Sequence, residues 1–379
     1  MFAPSKPPST GLSSLLYSIP SAMALALPAS SAAVTCQSLR HMAIKSPRLR
    51  IPRHAGVSLT ATQRAFYAAT PVTTTETHSQ YKSDAATAVE HAIATRRIPY
   101  GAWDSHMHII DPQLYSLTPD AVYSPSTFSL HDAITFESSI GINNVVLVQP
   151  SIYGFDNSCL LDALRRLGPN RARAVVAFDP NATSRTQLHE WHRLGVRGVR
   201  FNIKSVEAQM SPKQLKQILQ QYANAVRHLD WVLQLYVPMS YMPVLESIVP
   251  ALNVRVCVDH LGHPDIERRS DQDPYQMSGF SSLVRLLESS NTYVKLSAPY
   301  RMSQLKGYRD LEPYAREIIR LKGSTRVVFG SDWPHTRFEG LDIRPWINTV
   351  FDWCSNDQHL VDRLFRGNAE DLWSVSTNE

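Results

Sequence analysis

The sequence predicts an α/β fold, a (β/α)8 TIM barrel, on three observations. From about residue 98, short β-branched or apolar runs alternate with longer amphipathic ones. The alternation repeats eight times in about 280 residues, the size of a closed barrel of this kind. No Gly-rich phosphate turn follows the first strand, which makes a doubly wound open sheet the weaker alternative.

The strands expected, in order, are AWDSHMHI (102–109), NNVVLVQP (143–150), ARAVVAFD (172–179), VRGVRFNI (196–203), WVLQLYV (231–237), VRVCVDHL (254–261), TYVKLS (292–297) and RVVFGSDW (326–333). Each is short and rich in Val, Ile, Tyr, Phe or Trp, the residues that suit a pleated surface. Between them, SPKQLKQILQQYANAVRHL (211–229), SSLVRLLESS (281–290) and LEPYAREIIRLK (311–322) carry apolar residues at helical spacing. PWINTVFDWC (345–354) and DQHLVDRLFRGNAEDLW (357–373) read as closing helices. The barrel domain is placed at residues 96–379.

Residues 1–95 read as a leader outside that domain. The net charge of +5 belongs to it: the first acidic residue is Glu76, and seven basic residues stand before it. Taking those seven from the 38 basic residues leaves 31 against 33 acidic ones, a slightly acidic remainder that gives no reason to expect nucleic acid. The leader is rich in Ser, Ala, Thr and Pro, contains Arg and lacks acids up to Glu76, the composition of a mitochondrial transit peptide. Pro20 and Pro28 interrupt the apolar run that a secretory signal would need. Mitochondrial targeting is therefore expected, with cytoplasmic or secreted placement as the alternatives. No apolar run approaches the ~18 uncharged residues of a membrane span. Cys36, Cys159, Cys257 and Cys354 show no CxxC pair and demand neither disulfides nor a thiolate metal site.

In a barrel of this type the chemistry sits at the carboxyl ends of the strands. The period of two in WDSHMHII puts Asp104, His106 and His108 on one face of the first strand. Later strand ends offer Gln149, Asp179, Arg200, Asn202, Tyr236, Asp259, His260, Lys295, Ser297 and Arg301, and the eighth ends in GSDWPH with Asp332 and His335. Gln149 and Lys295 read equally well as satisfied polar groups of the rim. Asp179, before Pro180, reads as a turn former. His189, His192, His228 and His359 fall in helical or loop contexts and read as surface residues. His106, His108, His260 and Asp332 are different, because four ionisable groups on one rim are costly to desolvate without a task.

HxH on the first strand, DHLGHPD on the sixth and GSDWPH on the eighth together resemble the amidohydrolase superfamily, over residues 100–372. With VYSP, LVQPSIYGFDN, GVRGVRFN, LYVP and KLSAPYR, the chain looks most like its metal-independent, lactone-hydrolysing branch, typified by 2-pyrone-4,6-dicarboxylate lactonase. The resemblance implies a TIM barrel and a small carboxylated lactone as substrate, pyrone- or muconolactone-like. It implies His106, His108, His260 and Asp332 as the catalytic set, and Tyr123, Arg200, Tyr236 and Arg301 as substrate-binding residues. His263 stands where the dicarboxylate enzymes carry arginine, which weakens the case for two fixed carboxylates on the substrate.

Metal-dependent relatives add a strand-five histidine, and WVLQLYV has none. An arginine on strand four also opposes a divalent ion, so no cofactor is expected. A bound Zn2+ or Mn2+ would be held by His106, His108 and Asp332. The mechanism expected is water attack with Asp332 as base, while imidazole N–H groups of His106, His108 and His260 hold the oxyanion or orient the water. A metal-dependent decarboxylase of the same superfamily and a non-catalytic barrel subunit are the alternatives. The expected partner is a small molecule, with neither nucleic acid nor membrane, and a homodimer is left open.

Overall fold

The computed structural model describes residues 97–266 and 272–375, so the expected leader, residues 1–95, lies outside the described residues. Eight parallel strands run in sequential order: β1 (Trp103–Met107), β2 (Asn144–Val148), β3 (Ala172–Val176), β4 (Val196–Asn202), β5 (Val232–Tyr236), β6 (Val256–Val258), β7 (Thr292–Leu296) and β8 (Val327–Phe329). One helix follows each: α1 (Leu130–Ser139), α2 (Ser158–Leu167), α3 (Arg185–Leu194), α4 (Pro212–Val226), α5 (Met242–Ile248), α6 (Phe280–Ser289), α7 (Glu312–Lys322) and α8 (Arg344–Trp353). Parallel neighbours need such crossovers, because no tight turn can join them. The chain just past β8 closes the ring against β1, where Asp332 N donates to His106 O at 2.8 Å and His108 N to Trp333 O at 2.8 Å. The architecture is a TIM barrel.

Local chemistry starts the helices where the sequence places them. Ser129 and Ser211 each cap a helix reciprocally, with Asp132 and Gln214 at the third helical position, and Pro212 takes the first helical position of α4. The barrel's inside is filled by Trp103, Val146, Val148, Val175, Val232, Cys257, Tyr293 and Val328 over a floor that includes Trp373. Alternate residues such as Val145, Leu147 and Val199 face the helix layer. Among the described residues, no helix is long and apolar enough to cross a membrane.

Two expectations are corrected, and a third, the closing helix over 357–373, holds with one wider turn inside it. Its turns α9 (Gln358–Asp362) and α10 (Asn368–Leu372) flank a wider five-residue π turn, where Arg363 bonds both Ser324 O and Asn368 Oδ1. His192 is half-buried rather than fully at the surface: its ring stacks on Trp231, and its Nδ1 accepts from Trp231 Nε1 at 2.9 Å. The sixth and eighth strands end early, because His260, Leu261 and Asp332 have φ of 50°, 55° and 61°. Such left-handed backbone is costly for these residue types, and it turns the chain into the barrel mouth.

Candidate active site

A bulge in β1 sets the first histidine. Trp103 and Asp104 pair with Asn144 and Val145, but Met107 pairs with Leu147, so β1 holds one residue more than β2 over this stretch. Simple alternation fails as a result. Ser105 faces the floor, where its Oγ accepts from Trp373 Nε1, and the next residue, His106, also faces inward. Asp104 leaves the mouth for the helix side. It accepts there from His106 N at 2.9 Å, from Ser331 N at 2.9 Å and from Ser331 Oγ, and faces buried Glu137 of α1. Burial first of all raises both carboxyls above their ordinary values.

Gly330 makes the approach of β1 possible. A Cβ there would stand 2.8 Å from His106 Cβ and 3.3 Å from Ser297 Cβ. Gly330→Ala is therefore expected to cost about 1–3 kcal/mol through overpacking. It should also lower kcat more than it raises KM, and steady-state kinetics with thermal unfolding would check both.

His106, His108, His260 and Asp332 do come together. Asp332 Oδ1 lies 3.6 Å from His106 Nε2, 3.5 Å from His108 Nε2 and 3.9 Å from His260 Nε2, and all four residues are buried. The other carboxylate oxygen is spoken for: Tyr300 Oη donates to Oδ2 at 2.6 Å and Arg301 Nε at 2.7 Å. Burial alone would raise the Asp332 carboxyl. The Arg301 charge, followed by His260, His108 and His106, holds it well below the usual range. Burial pushes His260 down to about 4 and His335 to about 4, so both imidazoles are neutral at pH 7.

The hydrogen-bond network assigns tautomers. His108 Nδ1 lies 2.7 Å from Val148 O, and a carbonyl only accepts, so this nitrogen carries the proton. In that tautomer His108 presents an Nε2 lone pair to the centre, which suits the water-orienting one of the two roles expected of these imidazoles. His260 Nδ1 lies 2.7 Å from Ser297 Oγ, where either partner can donate.

Beneath His106 lies a layer the sequence reading undervalued. Fully buried Lys295 donates to Gln234 Oε1 at 2.7 Å and approaches His106 Nδ1 at 3.2 Å. Asp259 accepts from Gln234 Nε2 at 3.0 Å and lies 3.4 Å from Lys295 Nζ and 3.5 Å from Arg200. Burial acts to raise the Asp259 carboxyl, but Lys295, His106 and Arg200 hold it well below the ordinary range. Gln234 and Lys295 each interrupt an apolar strand at an inward position, and that was the signal available in the sequence. Tyr300 left none. Gln149, by contrast, is chiefly structural. Its side-chain NH2 donates to Gly154 O and Asp156 O, and its main-chain carbonyl accepts from Arg200. Asp179 forms the expected turn, accepting from Asn181 N.

A cavity of about 310 Å³ opens above Asp332, lined by His108, His260 and the expected substrate residues Tyr123, Arg200, Tyr236, His263 and Arg301. Lys204 and Arg337 add two more cations, and Arg337 lies over the Tyr123 ring at 4.8 Å. Arg301 is less free than expected, since it also donates to Thr336 O and Oγ1. Burial and then Lys204 push His263 down to about 3, so this imidazole is neutral.

Two sets of donors lie close enough to share a cation: His106, His108 and Asp332, and His106, Asp259 and His260. The Lys295 ammonium already stands against His106 and Asp259, so an ion in the second set would meet a resident positive charge. In the first set, His108 Nε2 and Asp332 Oδ1 face the centre, and Lys295 Nζ stands 3.2 Å from His106 Nδ1.

The Amidohydrolase family profile matches residues 103–375. The 2-pyrone-4,6-dicarboxylate hydrolase of Comamonas testosteroni is 30% identical over 249 residues, 63% of this chain and 78% of that protein. The 4-sulfomuconolactone hydrolase of Hydrogenophaga intermedia is 29% identical over 283 residues, 71% of this chain and 89% of that protein. Among solved structures, one from Pseudomonas putida, provisionally assigned as a 2-pyrone-4,6-dicarboxylic acid hydrolase, superposes with a TM-score of 0.62 at 28% identity, covering 74% of this chain and 100% of that one.

Proposed function

The chain belongs to the amidohydrolase family, and from that premise we propose that it opens the ring of a small carboxylated lactone, of pyrone or muconolactone type, using water activated by Asp332 and no obligatory metal. The named relatives hydrolyse lactones, which makes the chain a hydrolase acting on ester bonds. One observation carries the finer reading: three imidazole Nε2 atoms surround the free oxygen of a carboxylate whose other oxygen is clamped.

Water held between Asp332 Oδ1 and the His108 Nε2 lone pair meets two acceptors. It is oriented by both and deprotonated by Asp332. With Lys295 and Ser297 donating to the Nδ1 atoms, His106 and His260 present Nε2–H groups to the carbonyl oxygen, where negative charge develops. The protonated Asp332 returns its proton to the leaving ring oxygen. Arg200 and Arg301, with Tyr123 and Tyr236, anchor the carboxylate and fix the ring. As a set, His106, His108 and Asp332 do not fit a resident cation while Lys295 stands at His106, so no step runs through a metal.

A screen of pyrone, muconolactone and sugar lactones, run with and without chelator alongside elemental analysis, tests the proposal. The expected result is turnover of an unsaturated carboxylated lactone that chelator leaves unchanged. Stoichiometric zinc or manganese with chelator-sensitive activity, and no turnover of any lactone, would transfer the assignment to the metal-dependent decarboxylase. His263→Arg should raise the preference for a doubly over a singly carboxylated lactone by about 10- to 100-fold, the worth of one charge-assisted hydrogen bond. An unchanged kcat/KM ratio for such a pair would remove His263 from the substrate contacts.

A further inference from the structure

We infer that Lys295 is a positioning residue: it locks neutral His106 in the tautomer that carries its proton on Nε2, so that His106 serves as a hydrogen-bond donor in the site. The inference rests on the proposed lactone hydrolysis for its catalytic meaning, though not for its geometry.

Three observations converge. His106 Nδ1 has two neighbours that want opposite things of it: an ammonium needs its lone pair, and a carboxylate needs its proton. Lys295 Nζ lies at 3.2 Å in hydrogen-bonding geometry, whereas Asp259 Oδ1, at 3.4 Å, makes no hydrogen bond with any partner. The ammonium therefore takes the Nδ1 lone pair and leaves the proton on Nε2. That atom is buried and has no partner of its own, so its N–H points at the place where a reacting oxygen would sit.

The ammonium is itself held in place. Gln234 Oε1 accepts from it at 2.7 Å, and Gln234 Nε2 donates to Asp259, which stands 3.4 Å from the ammonium. The Trp373 ring lies 5.3 Å away on the floor side. Lys295, Gln234 and Asp259 are each fully buried, and Arg200 nearly so. Breaking such a group is costly, and a buried cation serving only Asp259 would have no reason to lean on an imidazole.

His106 and His108 sit side by side, ring centroids 5.0 Å apart, yet are set to opposite tasks. The Val148 carbonyl makes His108 an acceptor at its inner nitrogen, and Lys295 makes His106 a donor at the same atom. Two histidines on one strand thereby supply one water-orienting and one carbonyl-polarising group.

The test is 15N-histidine NMR on the full chain at pH 7.5, with the His106 signal assigned by its loss in His106→Asn. The wild-type spectrum should show His106 protonated on Nε2 and bare at Nδ1. In Lys295→Met the proton should move to Nδ1, facing Asp259, with kcat lower by about 10²–10³ and KM within about threefold, the signature of one lost oxyanion donor. If Lys295→Met does not fold, the wild-type spectrum decides alone, because it reads the His106 tautomer directly. A wild-type His106 protonated on Nδ1, or a folded Lys295→Met with normal kcat, overturns the inference. An Nε2–H signal in a protein that turns over no lactone sustains the lock and sinks the lactone reading instead.

Discussion

Asp332→Asn is expected to lower kcat by about 10³-fold or more while the barrel still folds. A positioned general base contributes about 10²–10⁴ in rate. Asp259, the carboxylate 3.4 Å from His106, already faces Lys295 and Arg200 and is not free to replace Asp332. The asparagine amide is nearly isosteric. Its oxygen can still accept from Tyr300 Oη and Arg301 Nε, so the clamp on the Oδ2 side survives. Its NH2 then points toward the three Nε2 atoms, where it donates to His108 and crowds the N–H groups of His106 and His260. The fold loses roughly 1–3 kcal/mol for the charge removed beside Arg301. KM should change little, because the carboxylate of the substrate is held elsewhere. Rapid-quench kinetics with circular dichroism separate the two effects, and near-normal turnover in a folded variant would reject Asp332 as the base.

The same geometry shows what could be read before any coordinates. The eight βα units and the convergence of His106, His108, His260 and Asp332 follow from strand periodicity and from one rule about barrel mouths. What escaped has specific physical causes. The β1 bulge inserts one unpaired residue, and period-two counting cannot see it, so Asp104 was assigned to the wrong face. His260 and Asp332 depend on left-handed backbone after strands that stop early, and nothing about their side chains announces that. The Asp259–Lys295–Gln234 layer draws on three strands, β5, β7 and the end of β6. Its members look like isolated polar residues in apolar runs until the barrel closes. His108's role as an acceptor hangs on a single carbonyl, Val148 O, and only coordinates could place it.

Arg301→Met should disable the enzyme on two counts at once. Read from sequence alone, Arg301 anchors a substrate carboxylate, and its loss would appear mainly in KM. In the structure its Nε donates to Asp332 Oδ2 at 2.7 Å, and the same side chain lines the cavity. Burial acts to raise the Asp332 carboxyl, and the Arg301 charge is the largest influence opposing it. Removing that charge therefore raises the folded-state pKa of Asp332, because burial is then less opposed. A higher pKa means less carboxylate at a given acid pH, so the acid limb of kcat must move upward. In the wild type that limb lies low, near the value of about 4 where His260 takes up its proton, and kcat should be level from pH 5 to 8. In Arg301→Met the acid limb of kcat should lie at higher pH than in the wild type, with KM raised about tenfold or more by the lost carboxylate contact. A pH profile of kcat and kcat/KM for both proteins decides the matter. A raised KM over an unmoved acid limb would return Arg301 to substrate binding alone. A moved limb over an unchanged KM would make it part of the base. Movement of both shows that one guanidinium seats the substrate and keeps the base ionised, so that Asp332 can stay charged while buried among three imidazoles.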